Sequence, residues 1–369
     1  MRIVILGIRG IPAHYGGFET CVDHTSRLLV TAGHDVTVYG RSQHFEQHPD
    51  SYEGVKLRYV ARPQRAQFHT IGHTLRCARH LRGEPFDVVH LYGVGNALAI
   101  PTLKWDWYTR AGRRKVVISV DAEDWARAKW GTVARAYLLL AARFARYAAD
   151  RIIVDSRAIG ELYRQKFGAR THYVAYGADT RPAAGTHWLE KLGLESGRYH
   201  LFVGRLTPEK QPHHLLEAYR HVRSTMPLVI VGDDPYDQGY VHYLRQIADE
   251  RVRFVGSIYD DGFHQLCRHC YLYLTASEVE GTSPALLQAM GQGAAVLVNG
   301  IPANRETIGA AGFAYRPNDP ADLAHLWQEL VDQPERVAAV RPAATQRIQT
   351  YYTWELVTEQ LINLYNDVR

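Results

Sequence analysis

Four cysteines in 369 residues, at positions 21, 77, 267 and 270, are too few and too scattered for a disulfide framework. The chain is therefore read as one that folds in a reducing compartment. No apolar run reaches the length of a bilayer span, and the opening M-R-I-V-I-L-G is too short and too soon interrupted for a secretory signal. A cytoplasmic location is the expectation. Metal-ligand patterns are missing too. Cys267-Arg268-His269-Cys270, with His264 nearby, makes at most half a zinc site, because no second pair completes four ligands. His69 and His73 stand four apart, but Thr70 occupies the place of the glutamate that a zinc-hydrolase helix requires. Neither Asp233-Asp234 nor Asp106-Trp107 forms a D-x-D motif, so no metal is expected. The glycines of residues 7–17 lack G-x-G-x-x-G spacing, and no acidic residue closes a second strand near Tyr39, which argues against a nicotinamide cofactor. There is no short-period repeat and no low-complexity segment.

What remains is an ordinary globular composition, 46% hydrophobic and 22% charged, in a chain long enough for two domains. The charge is unevenly divided. Residues 1–180 hold 26 Lys+Arg against 16 Asp+Glu, and residues 181–369 hold 17 against 22. A basic first half suits an anionic substrate or an anionic membrane surface, and a well-solvated face explains it equally. The basic helix-like stretch 67–82, with Arg76 and Arg79, is the membrane candidate.

Strand and helix signals alternate. Strands are predicted at 2–7, 36–40, 55–60, 88–93, 115–120, 151–156 and 171–177, with helices at 18–32, 67–82, 132–149 and 157–167. A turn-rich segment, 178–185, reads as a linker. Beyond it, strands at 200–205, 228–232, 252–256, 271–276, 295–299 and 312–315 alternate with helices at 213–223, 240–250, 285–291 and 321–332. Such alternation implies two α/β units, each with a mainly parallel sheet covered on both faces. The amphipathic stretch 354–365 is a last helix.

Three turns carry candidate chemistry. E-G-T-S-P-A-L-L-Q at 280–288 follows a strand and opens a helix, with Pro284 at a first helical position. Backbone N–H groups there, with the helix dipole behind them, suit phosphate, so Glu280, Gly281, Thr282, Ser283 and Gln288 frame a nucleotide-diphosphate site; an ordinary capped turn is the alternative. G-R-L-T-P-E-K at 204–210 places Arg205 and Lys210 just beyond another strand of the same unit, where both can neutralise one diphosphate. Near the start, Gly16-Gly17 before a helix allows close approach of an anion within reach of Arg9. Asp121, after the strand at 115–120, can hold or deprotonate a hydroxyl, or serve as an N-cap or a partner of Arg127 or Lys129. Trp125 and Trp130 are candidates for a sugar platform or for core.

G-R-L-x-x-E-K followed by E-G-x-S-P-x-x-L-x-A-M resembles the retaining, nucleotide-sugar-dependent glycosyltransferases of the GT-B fold. G-I-R-G-I-P-A-H-Y-G-G-F-E-T at 7–20 is similar to the signature of bacterial polysaccharide rhamnosyltransferases, and D-A-E-D-W-A-R-A-K-W at 121–130 resembles a block of the same subfamily, with Ala122 in the place of its glycine. The resemblance implies two Rossmann-like doubly wound domains facing a central cleft. The first, residues 1–182 with the last helix 353–369 packed back on it, would bind the acceptor, and residues 183–352 would bind the donor. It implies catalysis by Asp121, Arg205, Lys210 and Glu280, with Glu278 as a second carboxylate able to meet the sugar. The family's E-x7-E motif is met here by Glu280 and Gln288; if the amide meets the ribose, it favours a deoxynucleotide donor. The expected reaction is transfer of L-rhamnose from dTDP-rhamnose to a saccharide or lipid-linked saccharide in cell-surface polysaccharide synthesis. UDP- or GDP-hexose transfer, a nucleotide-sugar epimerase and a non-catalytic partner subunit are the alternatives. No cofactor and no nucleic acid partner are expected.

Overall fold

The computed structural model describes residues 1–13, 16–63, 69–104, 114–121, 123–126, 130–234 and 237–369. They divide into one unit of Met1–Tyr176 with Trp354–Arg369 and a second of Gly177–Thr353.

Short β-branched runs build the first sheet: β1 (Arg2–Leu6), β2 (Asp35–Arg41), β3 (Ser51–Tyr52), β4 (Val55–Val60), β5 (Val88–Tyr92), β6 (Lys115–Val120), β7 (Arg151–Val154) and β8 (Thr171–Tyr173). Their order is β3-β4-β2-β1-β5-β6-β7-β8. The central strand β1 pairs in parallel with β2 (Ile3 with Val36) and with β5 (Ile3 with Val88), and the short edge strand β3 runs antiparallel to β4. Its helices are α1 (Gly17–Thr31), α2 (His69–His80), α3 (Ile100–Lys104), α4 (Thr132–Ala148) and α5 (Arg157–Phe167). Helix α5 shows why such segments start and stop where they do. The Ser156 hydroxyl caps the Ile159 N–H, and Gly168 ends the helix in the left-handed conformation. The C-terminal helix, Trp354–Val368, sets Val357, Leu361, Leu364 and Tyr365 into the same core as Ile3, Val22, Val38 and Val88.

The second unit is wholly parallel among its described strands: β9 (His200–Val203), β10 (Leu228–Val231), β11 (Val252–Gly256), β12 (Leu272–Thr275), β13 (Val296–Asn299) and β14 (Phe313–Tyr315), in the order β11-β10-β9-β12-β13-β14. Its helices are α6 (His187–Leu192), α7 (Pro212–Tyr219), α8 (Gln238–Ile247), α9 (Asp260–His269), α10 (Pro284–Gly291), α11 (Pro302–Ile308), α12 (Pro320–Asp332) and α13 (Pro334–Tyr351). Four of these, α6, α9, α11 and α13, had no counterpart in the sequence reading. Helix α13 buries only Val337, Ala344 and Ile348 and carries Pro342 inside it, so its apolar stripe is thin and interrupted.

Both sheets reverse their chain order once. In the first, β1 lies beside β5; in the second, β9 lies beside β12. Ligands of open parallel sheets bind beyond the carboxyl ends of the strands at such points. No helix among the described residues is long and apolar enough to cross a membrane.

Candidate functional site

The segments that follow β9 and β12 carry the two C-terminal turns singled out above, so the switch point brings residues 204–211 against residues 276–283. On the other side of β9, glycine lets the segment after β10 come close: a Cβ on Gly232, which has φ of +141°, would lie 1.8 Å from the Gly204 carbonyl oxygen, and the Gly204 N–H donates to the Val231 carbonyl at 3.0 Å. Across the gap, Lys210 Nζ donates to Glu280 Oε1, joining residues 70 positions apart in the chain. The Gln211 amide reaches Glu278 Oε2 at 2.8 Å, and the Glu278 N–H donates to the Glu209 carbonyl at 3.1 Å. Lys210 and Glu280 are both largely buried, with side-chain exposures of 19% and 9%. Arg205, five positions before Lys210 in the same turn, is half-buried and makes no ion pair among the described residues.

Three buried oxygens around this ion pair have no hydrogen-bond partner among the described residues: Thr207 Oγ1, Gln211 Oε1 and Glu280 Oε2. Each such atom costs about 1–3 kcal/mol if it stays unpaired. Gln211 and Glu280 need O–H or N–H donors there, and Thr207 can take either partner. Thr282 and Ser283 are buried at the mouth of α10, where Ser283 precedes Pro284 and makes no side-chain cap. Asn299, fully buried, donates to the carbonyls of Ala276 and Ser277 and fixes the strand end beneath Glu280. The sequence reading missed Thr207, Gln211 and Asn299. Gln211 adjoins Lys210 and was legible by position, but Asn299 comes from β13 and carries no local signal.

Gln288 has a different occupation. Its Oε1 accepts from the Asp179 N–H and its Nε2 donates to the Asp179 carbonyl, both at 3.2 Å. One turn on, Gln292 accepts from the Ala183 N–H at 2.8 Å and donates to the Arg181 carbonyl at 2.9 Å. Two glutamines on one face of α10 thus clip the segment 179–183. Gly291 leaves room for it, since a Cβ there would sit 2.4 Å from the Asp179 carbonyl oxygen.

The first unit gathers other groups at its own switch point. Gly16, at φ of +106°, precedes α1, and the Glu19 carboxylate folds back so closely that a Cβ on Gly16 would meet Glu19 Oε2 at 2.3 Å. Glu19 Oε1 accepts the Arg9 N–H at 2.9 Å, and its carboxylate lies in the first turn of α1, where the helix dipole favours negative charge. A recess of about 320 Å³, counted with the solvent at its mouth, is lined by Phe18, Cys21, Tyr92, Ser119, Asp155 and Tyr176 among others. Burial pushes the Cys21 thiol up to about 12, which keeps it protonated. Beneath the recess, the buried His90 joins Ser119 Oγ and the Tyr365 hydroxyl, each at 2.7 Å. Asp121 follows β6, and its charge, with that of Asp155, adds to burial in raising the Tyr176 hydroxyl well above its ordinary range.

Of the two readings of Trp125, platform or core, its surroundings favour core. It is only 5% exposed and packs on Tyr163 and Phe167, with ring centroids at 5.7 and 5.3 Å, so its faces belong to the core of its own unit. Ala122, Arg127 and Lys129 lie outside the described residues. Cys267 and Cys270 are buried, with Cys270 Sγ bonded to the Cys267 carbonyl at 3.2 Å, and His73 is buried against the Gly40 carbonyl at 3.3 Å. Among the described residues no cluster of three or more metal-ligating side chains occurs.

Residues 186–347 match the family of glycosyl transferases group 1, and residues 16–177 match the glycosyl transferase 4-like domain. The chain belongs to the GT-B glycosyltransferases. Among curated proteins it is similar to the O-antigen chain mannosyltransferase B of Escherichia coli, 28% identical over 60% of this chain and 56% of that protein, so the match spans a little over half of that relative. It is also similar to the glycogen synthase of Mycobacterium tuberculosis, 23% identical over 99% of this chain and 94% of that one. Among solved structures, Anabaena Alr3699/HepE in complex with UDP-glucose superposes with a TM-score of 0.78 at 19% identity over the full length of both chains. The sucrose-phosphate synthase of Thermosynechococcus elongatus gives 0.81 at 18% identity, over all of this GT-B chain and 98% of that one.

Proposed function

We propose that this chain is a retaining glycosyltransferase that moves a hexose from a nucleoside-diphosphate donor to a saccharide or lipid-linked saccharide. The observation that carries the reading is the Lys210–Glu280 pair at the β9/β12 switch point, where Glu280 Oε2, Gln211 Oε1 and Thr207 Oγ1 are buried with no hydrogen-bond partner among the described residues. A sugar bound there supplies hydroxyl donors to Glu280 Oε2 and Gln211 Oε1, and its diphosphate lies toward Arg205, Lys210 and the open end of α10. As the bond from the anomeric carbon to the diphosphate breaks, negative charge grows on the leaving oxygen, and the two cations stabilise it. The acceptor hydroxyl forms the new bond on the same face and loses its proton to the departing phosphate oxygen or to a base. Asp121 is assigned to the acceptor, in the unit of Met1–Tyr176 with Trp354–Arg369, and the unit of Gly177–Thr353 is assigned the donor.

The donor is assigned as a UDP- or GDP-hexose before dTDP-rhamnose. Two considerations support that order: relatives are named for mannosyl transfer and glycogen synthesis, and a structural neighbour was crystallised with UDP-glucose. The deoxynucleotide argument required a free amide at residue 288, and that amide is held by the Asp179 backbone. The rhamnose reading keeps one observation in its favour, the signature at residues 7–20. A donor screen with GDP-mannose, UDP-glucose and dTDP-rhamnose, each offered with lipid-linked and short saccharides, tests the assignment. Product mass names the sugar and anomeric coupling reads retention. An unchanged donor pool with every acceptor defeats the transferase reading; conversion of the donor sugar without acceptor indicates an epimerase.

A further inference from the structure

Among the described residues, six large hydrophobic side chains are classed as exposed, and three of them lie on α4: Val133 at 83%, Leu140 at 58% and Tyr147 at 69%. The helix explains the spacing. Its buried side, Leu138, Ala141, Ala142 and Ala145, follows helical periodicity, and Tyr137 pins the helix by donating to the Gly95 carbonyl at 2.6 Å. At 3.6 residues per turn, Val133, Ala136, Leu140 and Tyr147 fall on the opposite side and form an outward apolar stripe about 21 Å long. Arg135, Arg143 and Arg146 run along one flank, all exposed, and the segment Thr132–Ala148 contains no acidic residue. Arg146 lies over the Tyr147 ring at 5.0 Å and donates to the Phe167 carbonyl at 2.8 Å, while Arg135 and Arg143 make no ion pair among the described residues.

We propose that α4 is a membrane-docking face that lies in the headgroup plane of an anionic bilayer. A stripe of Val, Leu and Tyr bordered by arginines combines the two forces that hold interfacial helices: apolar burial at the acyl boundary and attraction to anionic headgroups. Charge complementarity selects lipid over a second copy of the chain. A symmetric dimer through this face would bring two sets of three arginines together with no acid on either helix to offset them. The sequence reading had placed the membrane face at residues 67–82. In the structure α2 presents Arg76, Arg79 and His80 without a large exposed apolar side chain among the described residues, and Arg76 is tied to the Ala61 carbonyl at 2.8 Å, as Arg146 of α4 is to the Phe167 carbonyl. Among its described residues that stretch exposes charge alone, whereas α4 has charge and apolar surface together. The inference goes beyond the transferase reading and does not depend on it.

Cosedimentation of the full chain with vesicles of phosphatidylcholine, with and without phosphatidylglycerol, tests it. Binding is expected only with the anionic lipid and should weaken as salt rises. Val133→Gln with Leu140→Gln should lower vesicle affinity about tenfold or more, and Arg135→Glu with Arg143→Glu at least as much. Arg76→Glu with Arg79→Glu serves as the comparison and should change it about twofold or less. Unaltered thermal melting of these surface variants confirms that folding is intact. Activity on a short soluble saccharide should survive the α4 changes, which separates failure of docking from failure of the transferase reading. Absence of binding by the parent chain, an α2 effect equal to the α4 effect, or a solution dimer that Leu140→Gln dissolves would each overturn the proposal.

Discussion

The two units use one architecture for different electrostatics. Each has a mainly parallel sheet whose parallel strands reverse their order once, and each places glycine-bearing turns at that reversal. At the β9/β12 reversal the turns bring a buried lysine against a buried glutamate and leave a half-buried arginine and three acceptor-bearing oxygens open for a ligand. At the β1/β5 reversal Glu19 stands in the first turn of α1 and accepts the Arg9 N–H, and the nearby recess is walled by Phe18, Tyr92 and Tyr176. The same topology therefore does not imply the same ligand. What decides is whether side chains at the switch point complete one another or leave polar atoms without partners.

The sharpest way to break that contrast is to remove the cations. Arg205→Ala and Lys210→Ala should each lower kcat about 10²-fold or more, because the charge they stabilise grows as the diphosphate leaves. Arg9→Ala, in the first unit, should cost about tenfold or less in the same steady-state assay. Equal losses would mean that both switch points hold the diphosphate. Lys210→Met carries a structural penalty as well, since it leaves the buried Glu280 without its counterion; urea unfolding should show a loss of about 3 kcal/mol or more, and Lys210→Arg should recover most of it.

Gln288→Glu sharpens the comparison at the level of a single amide. A carboxylate there still accepts from the Asp179 N–H but faces the Asp179 carbonyl without a donor. Denaturant stability should fall by about 1–3 kcal/mol, while the ratio of kcat/KM for matched UDP and dTDP donors stays within about twofold. A ratio that moves tenfold toward UDP would return residue 288 to the ribose.

A smaller effect distinguishes the cores. Burial lowers His90 to about 3 in the first unit and His200 to about 3 in the second, and both are neutral in the folded chain. A histidine with a depressed folded pKa stabilises fully above its unfolded value near 6.5, and that stability is lost as the pH falls toward 3. Each contributes a slope of up to about 1.4 kcal/mol per pH unit in that window. Both ring nitrogens of His90 are bonded, whereas His200 Nε2 has no partner among the described residues. His200→Leu should therefore cost less stability than His90→Leu, as read by thermal melts at pH 7, and each should flatten the acid limb.

Period and turn chemistry made much of this legible from residues alone. Segments such as Val55–Val60 and Lys115–Val120 announce themselves by β-branched runs, and Pro284 marks the start of α10. The pairing of Lys210 with Glu280 was foreseeable as a shared sheet edge but not as an ion pair, because strand order is a property of the whole sheet. Gln288 was read from its place in a motif; its partner, 109 residues earlier, lies in a linker that no local pattern ties to α10. Trp125 stays open between platform and core on the sequence for the same reason, since its ring partners Tyr163 and Phe167 come from α5. Helix α4 was predicted almost to the residue, yet its outward apolar stripe could not be told from core until the packing side was known.

The most direct test of the central claim is calorimetric titration of UDP, GDP and dTDP into the parent chain, Arg205→Ala, Lys210→Ala and Asp121→Asn. The account predicts that at least one nucleoside diphosphate binds the parent chain, that either lost cation weakens it about tenfold or more, and that Asp121→Asn leaves it unchanged. Binding that survives both cation changes and is lost with Asp121→Asn would contradict the assignment of the donor to the β9/β12 switch point.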